Sequence, residues 1–407
     1  MKAAQAFSGS KARTLELDGV RGIAIAMVLA HHYFLLPIRA PLATLPSYFQ
    51  AAGRLAWSGV DLFFVLSGFL LGGILLGVRE SSNYFQVFYV RRFLRIVPIY
   101  FVCLTAGLLL TSLFNRGLVP RLSWMFESPI PLKTYFIFLQ NLWMAKRTTY
   151  GMFGLGVTWS LAIEEQFYLT LPLLIRFCRS HASLVIAVLA GVAIAPLSRL
   201  VLYTLYPANT LAGVVLMPCR ADALLLGVFG AIVVRKQPWR AWLEGHRKLM
   251  VGVLCVLACG LVVLTKYSPN PYGFGMLSFG FTYLAFFYLT GICYAVLFPD
   301  SRLSGILRWR WLRWLGSIAF GVYLFHELIR SLFFGLIWSH LPTGMSFGEF
   351  SVSLIALGVT LVLCHLSWQF FEKPLVDIGH RQHYEAGKRR KEILLAEGTN
   401  GGEEVAV

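Results

Sequence analysis

Leu17-Asp18-Gly19-Val20-Arg21-Gly22-Ile23-Ala24-Ile25-Ala26-Met27-Val28-Leu29-Ala30-His31-His32 decides the fold class. It is an apolar helical run with a carboxylate and a guanidinium at its mouth and two imidazoles inside. Ionisable groups are costly in hydrocarbon and are retained there for chemistry or for binding something polar. Arg21 and His32 are eleven residues apart; at about 100° per residue both project from one face, about 16 Å apart along the axis. His31 lies about 100° round and faces elsewhere. A single helix thus offers a cation near one membrane surface and a titratable ring well below it.

The rest of the chain agrees with a membrane setting. Of its 407 residues, 57% are hydrophobic and only 14% charged, well under the roughly 25% charged residues of soluble domains. Alternating strand patterns are absent, so the class is an all-α polytopic membrane protein. Ten spans are expected, at about 20–36, 58–78, 96–114, 158–177, 182–203, 211–234, 249–264, 277–298, 317–338 and 351–371. The apolar segment 132–145 is too short to cross and is expected to be re-entrant or interfacial. The net charge of +17 suggests nucleic acid until the basic residues are placed. With both termini cytoplasmic, 24 of the 36 Lys and Arg fall in cytoplasmic segments, eight in opposite loops and four within spans. That is the positive-inside bias. Residues 1–14 read as a cytoplasmic tail, 15–379 as the membrane domain and 380–407 as a charged, disordered tail. The seven cysteines show no CxxC pair and read as packing residues, with no metal site expected. No cleavable signal is apparent, so the first span is expected to stay in the mature protein.

Several further stretches carry polar groups into apolar surroundings. His32 is the candidate general base, because imidazole titrates near neutrality. Arg91-Arg92-Phe93-Leu94-Arg95 precedes a span; it is either a topological anchor or, with Arg91 and Arg95 at i,i+4 on a helix start, a cradle for phosphates. In Thr158-Trp159-Ser160-Leu161-Ala162-Ile163-Glu164-Glu165-Gln166-Phe167-Tyr168, the residues Ser160, Glu164 and Tyr168 make one polar stripe, and Glu164 either faces a polar cavity or is a buried acid paired with an arginine for structure. Arg220 and Asp222 form an internal ion pair or line that cavity. Asp61 either orients a substrate or caps its helix. His326 is a second intramembrane imidazole, and with Asp61, Tyr168, Arg220 and Asp222 it completes the candidate substrate-binding set.

These blocks, in this order, resemble the bacterial integral-membrane acyltransferase family 3. The resemblance rests on Leu17-Asp18-Gly19-Val20-Arg21-Gly22 with histidine eleven past the arginine, Gly59-Val60-Asp61-Leu62-Phe63-Phe64-Val65-Leu66-Ser67-Gly68-Phe69 and Arg91-Arg92-Phe93-Leu94-Arg95-Ile96-Val97-Pro98. Thr158 to Tyr168, Gly321-Val322-Tyr323-Leu324-Phe325-His326 and Phe371-Glu372-Lys373-Pro374 complete it, so it covers about Leu17 to Pro374. It implies an inner-membrane, multi-pass O-acyltransferase that moves an acyl group, commonly acetyl, from cytoplasmic acyl-CoA to a hydroxyl of a cell-surface sugar or glycosylated natural product. It implies His32 as the essential histidine, acting as base or acyl carrier, and Arg21, Arg91, Arg92 and Arg95 at the cofactor. Asp18 or Glu164 is expected to orient the ring. Some relatives append an esterase-like domain; a standalone enzyme is expected here. A transporter or flippase of lipid-linked saccharide also needs buried charge, but the inverted repeats and paired broken helices of such folds are not evident.

Overall fold

A computed structural model describes residues 15–36, 53–126, 130–178, 180–340 and 346–385. Every regular element among them is helical. Ten helices have sixteen residues or more: α1 Leu15–Ala30, α2 Gly59–Gly77, α3 Tyr84–Asn115, α4 Thr158–Phe177, α5 His181–Leu205, α6 Met217–Arg235, α7 Arg247–Tyr267, α8 Phe281–Leu297, α9 Ala319–Trp338 and α10 Phe347–Ser367. Each overlaps one predicted segment. Eight of them, some extended by adjoining turns, are long and apolar enough to cross a bilayer, which makes the chain a multi-pass membrane protein. The other two are α1 and α4. They carry Glu16, Asp18 and Arg21, and Glu164, Glu165 and Arg176, so the motif residues themselves lower their hydropathy.

Close backbone approach organises the bundle. Between membrane helices, small residues let main chains touch, because lipid supplies no hydrophobic drive for association. A Cβ on Gly68 of α2 would lie 1.8 Å from the Leu224 carbonyl oxygen of α6, and one on Gly227 would lie 2.1 Å from that of Val65. Helix α6 is accordingly buried along most of its length, between α2, α5 and α8. The first motif uses the same device. A Cβ on Gly19 would meet the Leu307 carbonyl at 1.9 Å, and one on Gly22 that of Leu312 at 2.0 Å. The short helix Arg310–Ser317 therefore lies directly on α1, opposite Asp18 and Arg21.

Three sequence expectations are corrected. The helix carrying Arg91, Arg92 and Arg95 starts at Tyr84 rather than near Ile96, so these arginines sit two turns or more inside α3 and gain nothing from a free helix N-terminus. The segment 132–145 is two short helices, Leu132–Phe136 and Gln140–Arg147, broken where Phe138 takes φ 54°. The break is held by polar bonds: Gln166 Nε2 donates to the Phe138 carbonyl (3.0 Å), and Gln140 Nε2 to that of Thr158 (3.0 Å). Finally, the first residues of the expected disordered tail are packed rather than free. Residues 381–385 fold back on α3, where Asn83 bonds both the His383 carbonyl (2.9 Å) and the Glu385 amide (3.0 Å). The expected tails 1–14 and, beyond 385, 386–407 lie outside the described residues.

Candidate active site

The turn that continues α1 is not α-helical. Residues His31–Leu35 form a π turn, a rare distortion frequent at functional sites. Tyr33 anchors it, its hydroxyl donating to the His326 carbonyl of α9 (2.9 Å) and hydrogen-bonded to Thr360 Oγ1 of α10 (3.0 Å). The widened turn delivers His32 to α9. There its Nδ1 lies 2.6 Å from Glu327 Oε1, while the side chain stays 26% exposed. The approach is close but bent, outside the geometry of a linear hydrogen bond. Glu327 Oε1 also accepts from Arg330 Nη1 at 2.7 Å, so one buried carboxylate holds an imidazole and a guanidinium. The His326 ring stands edge-on to His32, with centroids 4.9 Å apart. Its Nδ1 pairs with the Tyr323 carbonyl (2.8 Å), and its buried Nε2 has no protein partner.

The carboxylate at the ring is therefore Glu327, where Asp18 or Glu164 was expected. Asp18 lies fourteen residues before His32, about 21 Å along the helix, and bonds Arg21 Nη1 at 2.8 Å. Glu164 bonds Tyr168 one turn on and faces Arg92 and Arg95. Neither Glu327 nor Arg330 was singled out from the sequence. The available signal was three titratable residues, His326, Glu327 and Arg330, within five positions of one apolar span. His32, His326 and Glu327 also bring ligand atoms within 4.8 Å of one another, a set that can take a metal ion. The guanidinium of Arg330 on the same carboxylate oxygen makes that corner less suited to a cation.

At the other end of α1 the arginines converge. Arg95 is partly buried and feels the charges of Arg21 and Arg92, with Glu372 and Tyr168 as its counterweights. Arg92 keeps a buried Nε without a protein partner. Like charges gathered this closely repel unless an anion joins them. Tyr168 shares a 2.6 Å hydrogen bond with Ser67 of α2, tying the polar stripe of α4 to this gate. Arg91 diverges from the group. Its Nε and Nη2 both donate to the Gln382 carbonyl (3.2 and 2.5 Å), and its guanidinium lies over the Tyr384 ring at 5.0 Å. Burial pushes the Tyr384 phenol up, so it meets Arg91 as a neutral ring.

The remaining candidates form a separate layer. Arg220 and Asp222 do not pair with each other. Arg220 Nη2 bonds Asp61 Oδ1 of α2, and its guanidinium lies 3.7 Å from the Phe281 ring centroid. Asp222 Oδ2 accepts from Arg199 Nη1 (2.9 Å) and from Thr282 Oγ1 (2.6 Å). Asp61 is thus an ion-pair partner and not a helix cap, for which no side-chain bond exists. Arg199, given no role from the sequence, is fully buried and also bonds the Leu277 and Cys219 carbonyls. These two pairs join three helices, α2, α5 and α6, and Arg220 Nε and Nη1 and Asp61 Oδ2 remain buried without protein partners.

A histidine–carboxylate pair inside a helical membrane bundle, with guanidiniums from two helices gathered at the other end of the histidine's helix, is equipped for proton transfer next to an anionic ligand. The chain belongs to the Acyltransferase domain family, whose model matches residues 14–368. A Bacillus subtilis protein, YrhL, is 28% identical over 386 residues, covering 90% of this chain and 55% of that protein. The peptidoglycan O-acetyltransferase OatA of Listeria monocytogenes is 26% identical over 406 residues (93% and 58%). The O-acetyltransferase OatA of Staphylococcus aureus is 24% identical over 377 residues (90% and 57%). The chain thus spans little more than half the length of these relatives. No solved structure matches it.

Proposed function

We propose that this protein transfers an acetyl group from cytoplasmic acetyl-CoA to a hydroxyl of a cell-envelope glycan, with peptidoglycan the leading acceptor class. The observation that carries the reading is the His32–Glu327 contact at the far end of a helix whose near end joins an arginine cluster. The relatives' names supply acetyl and peptidoglycan. Helices α1 and α4 are taken to cross with the other eight, giving ten spans, both termini in the cytoplasm and the arginine gate at the cytoplasmic face of the inner membrane.

In this reading, Arg21, Arg92 and Arg95 hold the phosphates of the nucleotide, and the partnerless Nε of Arg92 fits such a role. The thioester supplies an activated acetyl group. With Nδ1 against Glu327, the Nε2 edge of His32 is the one left to take the proton of the acceptor hydroxyl. The hydroxyl oxygen forms the new ester bond as the carbon–sulfur bond breaks, and the proton returns to the departing thiolate. Glu327 fixes the tautomer and stabilises the imidazolium as it forms. Arg330 keeps Glu327 ionised and in place. His326 and the Tyr323–Ser160 pair (2.5 Å) line the acceptor's approach. The test is acetyl transfer from labelled acetyl-CoA to glycan fragments by the purified protein in lipid. CoA release and ester formation are expected in wild type and neither in His32→Ala. Normal turnover by that variant overturns the reading.

A further inference from the structure

Helix α7 is the least buried of the eight candidate spans among the described residues: only 11% of its most apolar window is buried, so most of its surface lies on the outside of the bundle. Where it runs beside α8 there is an open groove of about 550 Å³, within the range of small-molecule sites. Its floor is Val251, Leu254, Cys255 and Ala258 of α7 and Phe287 of α8. Arg247 and the four α7 residues fall at i, i+4, i+7, i+8 and i+11, one face of the helix. They extend about 16 Å, the depth of one leaflet of a bilayer whose hydrocarbon is about 30 Å thick.

The groove changes character at one end only. There it opens between Arg247, the first residue of α7, and Arg302, which begins the short helix Arg302–Leu307. Arg247 is propped in place by a long hydrogen bond to the Tyr294 hydroxyl (3.4 Å) and by the Phe298 ring at 5.2 Å. Neither arginine belongs to a salt bridge among the described residues, and no carboxylate lines the groove. Arg302 is shared with an adjoining surface groove containing Arg308 and Arg310. The 60% exposed Trp309 stands there too, the residue type that settles at the headgroup level.

From this we infer that the α7–α8 groove is a binding site for an anionic glycerophospholipid, one acyl chain along Val251 to Ala258 and the phosphate between Arg247 and Arg302. The shape admits a single chain over one leaflet, and the charge at its mouth selects a headgroup of net negative charge over a zwitterionic one. This assignment is independent of the transfer chemistry, since the groove shares no residue with the His32 site. Leu307, at the end of the Arg302 helix, abuts Gly19 of α1, so a lipid held here also steadies the platform under the first motif.

The test is native mass spectrometry of the full-length protein released from nanodiscs of equimolar phosphatidylglycerol and phosphatidylcholine. Wild type is expected to retain phosphatidylglycerol in preference. At about fivefold per cation near a membrane surface, Arg247→Gln with Arg302→Gln should weaken retention about 25-fold. Ala258→Phe fills the groove with both charges intact and should also lose the lipid. Equal retention of the two lipids by wild type overturns the proposal even if a variant fails to fold. So does undiminished phosphatidylglycerol on folded protein of either variant.

Discussion

At the scale of single residues, the chemistry turns on which carboxylate meets His32. Removing the charge of Glu327 while keeping its shape, as in Glu327→Gln, leaves a ring without its counter-charge. Acetyl transfer is expected to fall by about 10²-fold or more, measured as CoA release from protein that elutes normally. Asp18→Asn should cost much less at the chemical step, because that carboxylate serves Arg21. Arg92→Gln and Arg95→Gln are expected to raise KM for acetyl-CoA by about tenfold each and to spare kcat more, the pattern of a lost ground-state contact. A kcat loss without a KM change would separate these residues from the nucleotide. His32 was legible in the sequence because a histidine stands out in an apolar run. Glu327 was not, since it lies 295 residues away and only the folded bundle brings the two together.

Single helices explain why some expectations failed. Hydropathy located all ten long helices, because apolar length is a local property. It missed the start of α3 at Tyr84, where the polar stretch before Ile96 looks like a loop although it is already helical. It also missed the π turn at His31–Leu35, which leaves no trace in composition. That turn depends on Tyr33. Tyr33→Phe removes the hydroxyl that reaches the His326 carbonyl and Thr360. It should reduce kcat several-fold while shifting the melting temperature by no more than a few degrees, about 1 kcal/mol per lost hydrogen bond. The glycines of α1 and α2 act differently. Gly22→Leu places side-chain atoms where the Leu312 main chain runs, and overpacking that cannot be relieved costs several kcal/mol. Loss of monodisperse protein on size exclusion is the expected outcome; wild-type stability in that variant would contradict the contact between α1 and Arg310–Ser317.

Across the whole molecule, charge and grease are sorted into layers. One end of α1 gathers arginines, the other holds the His32–Glu327 pair, and a third group of ionic contacts joins α2, α5 and α6. The sequence placed Arg220 and Asp222 in a span and left open whether they form an internal ion pair or line a cavity. Their true partners, Asp61 and Arg199, come from helices whose proximity no local pattern encodes. The ten crossings proposed above would place both ends of the chain on one side. Reporters fused at either terminus should therefore give the same compartment, and opposite readings would remove a span from the count.

The crossed pairs Asp61–Arg220 and Arg199–Asp222 have a consequence for how the polypeptide is made. During synthesis the acid of α2 and the base of α5 emerge before the helix that satisfies both. Until α6 arrives, the nascent chain holds one bare anion and one bare cation at membrane depth. Helices α2 and α5 are therefore expected to reach their final places only once α6 has joined them.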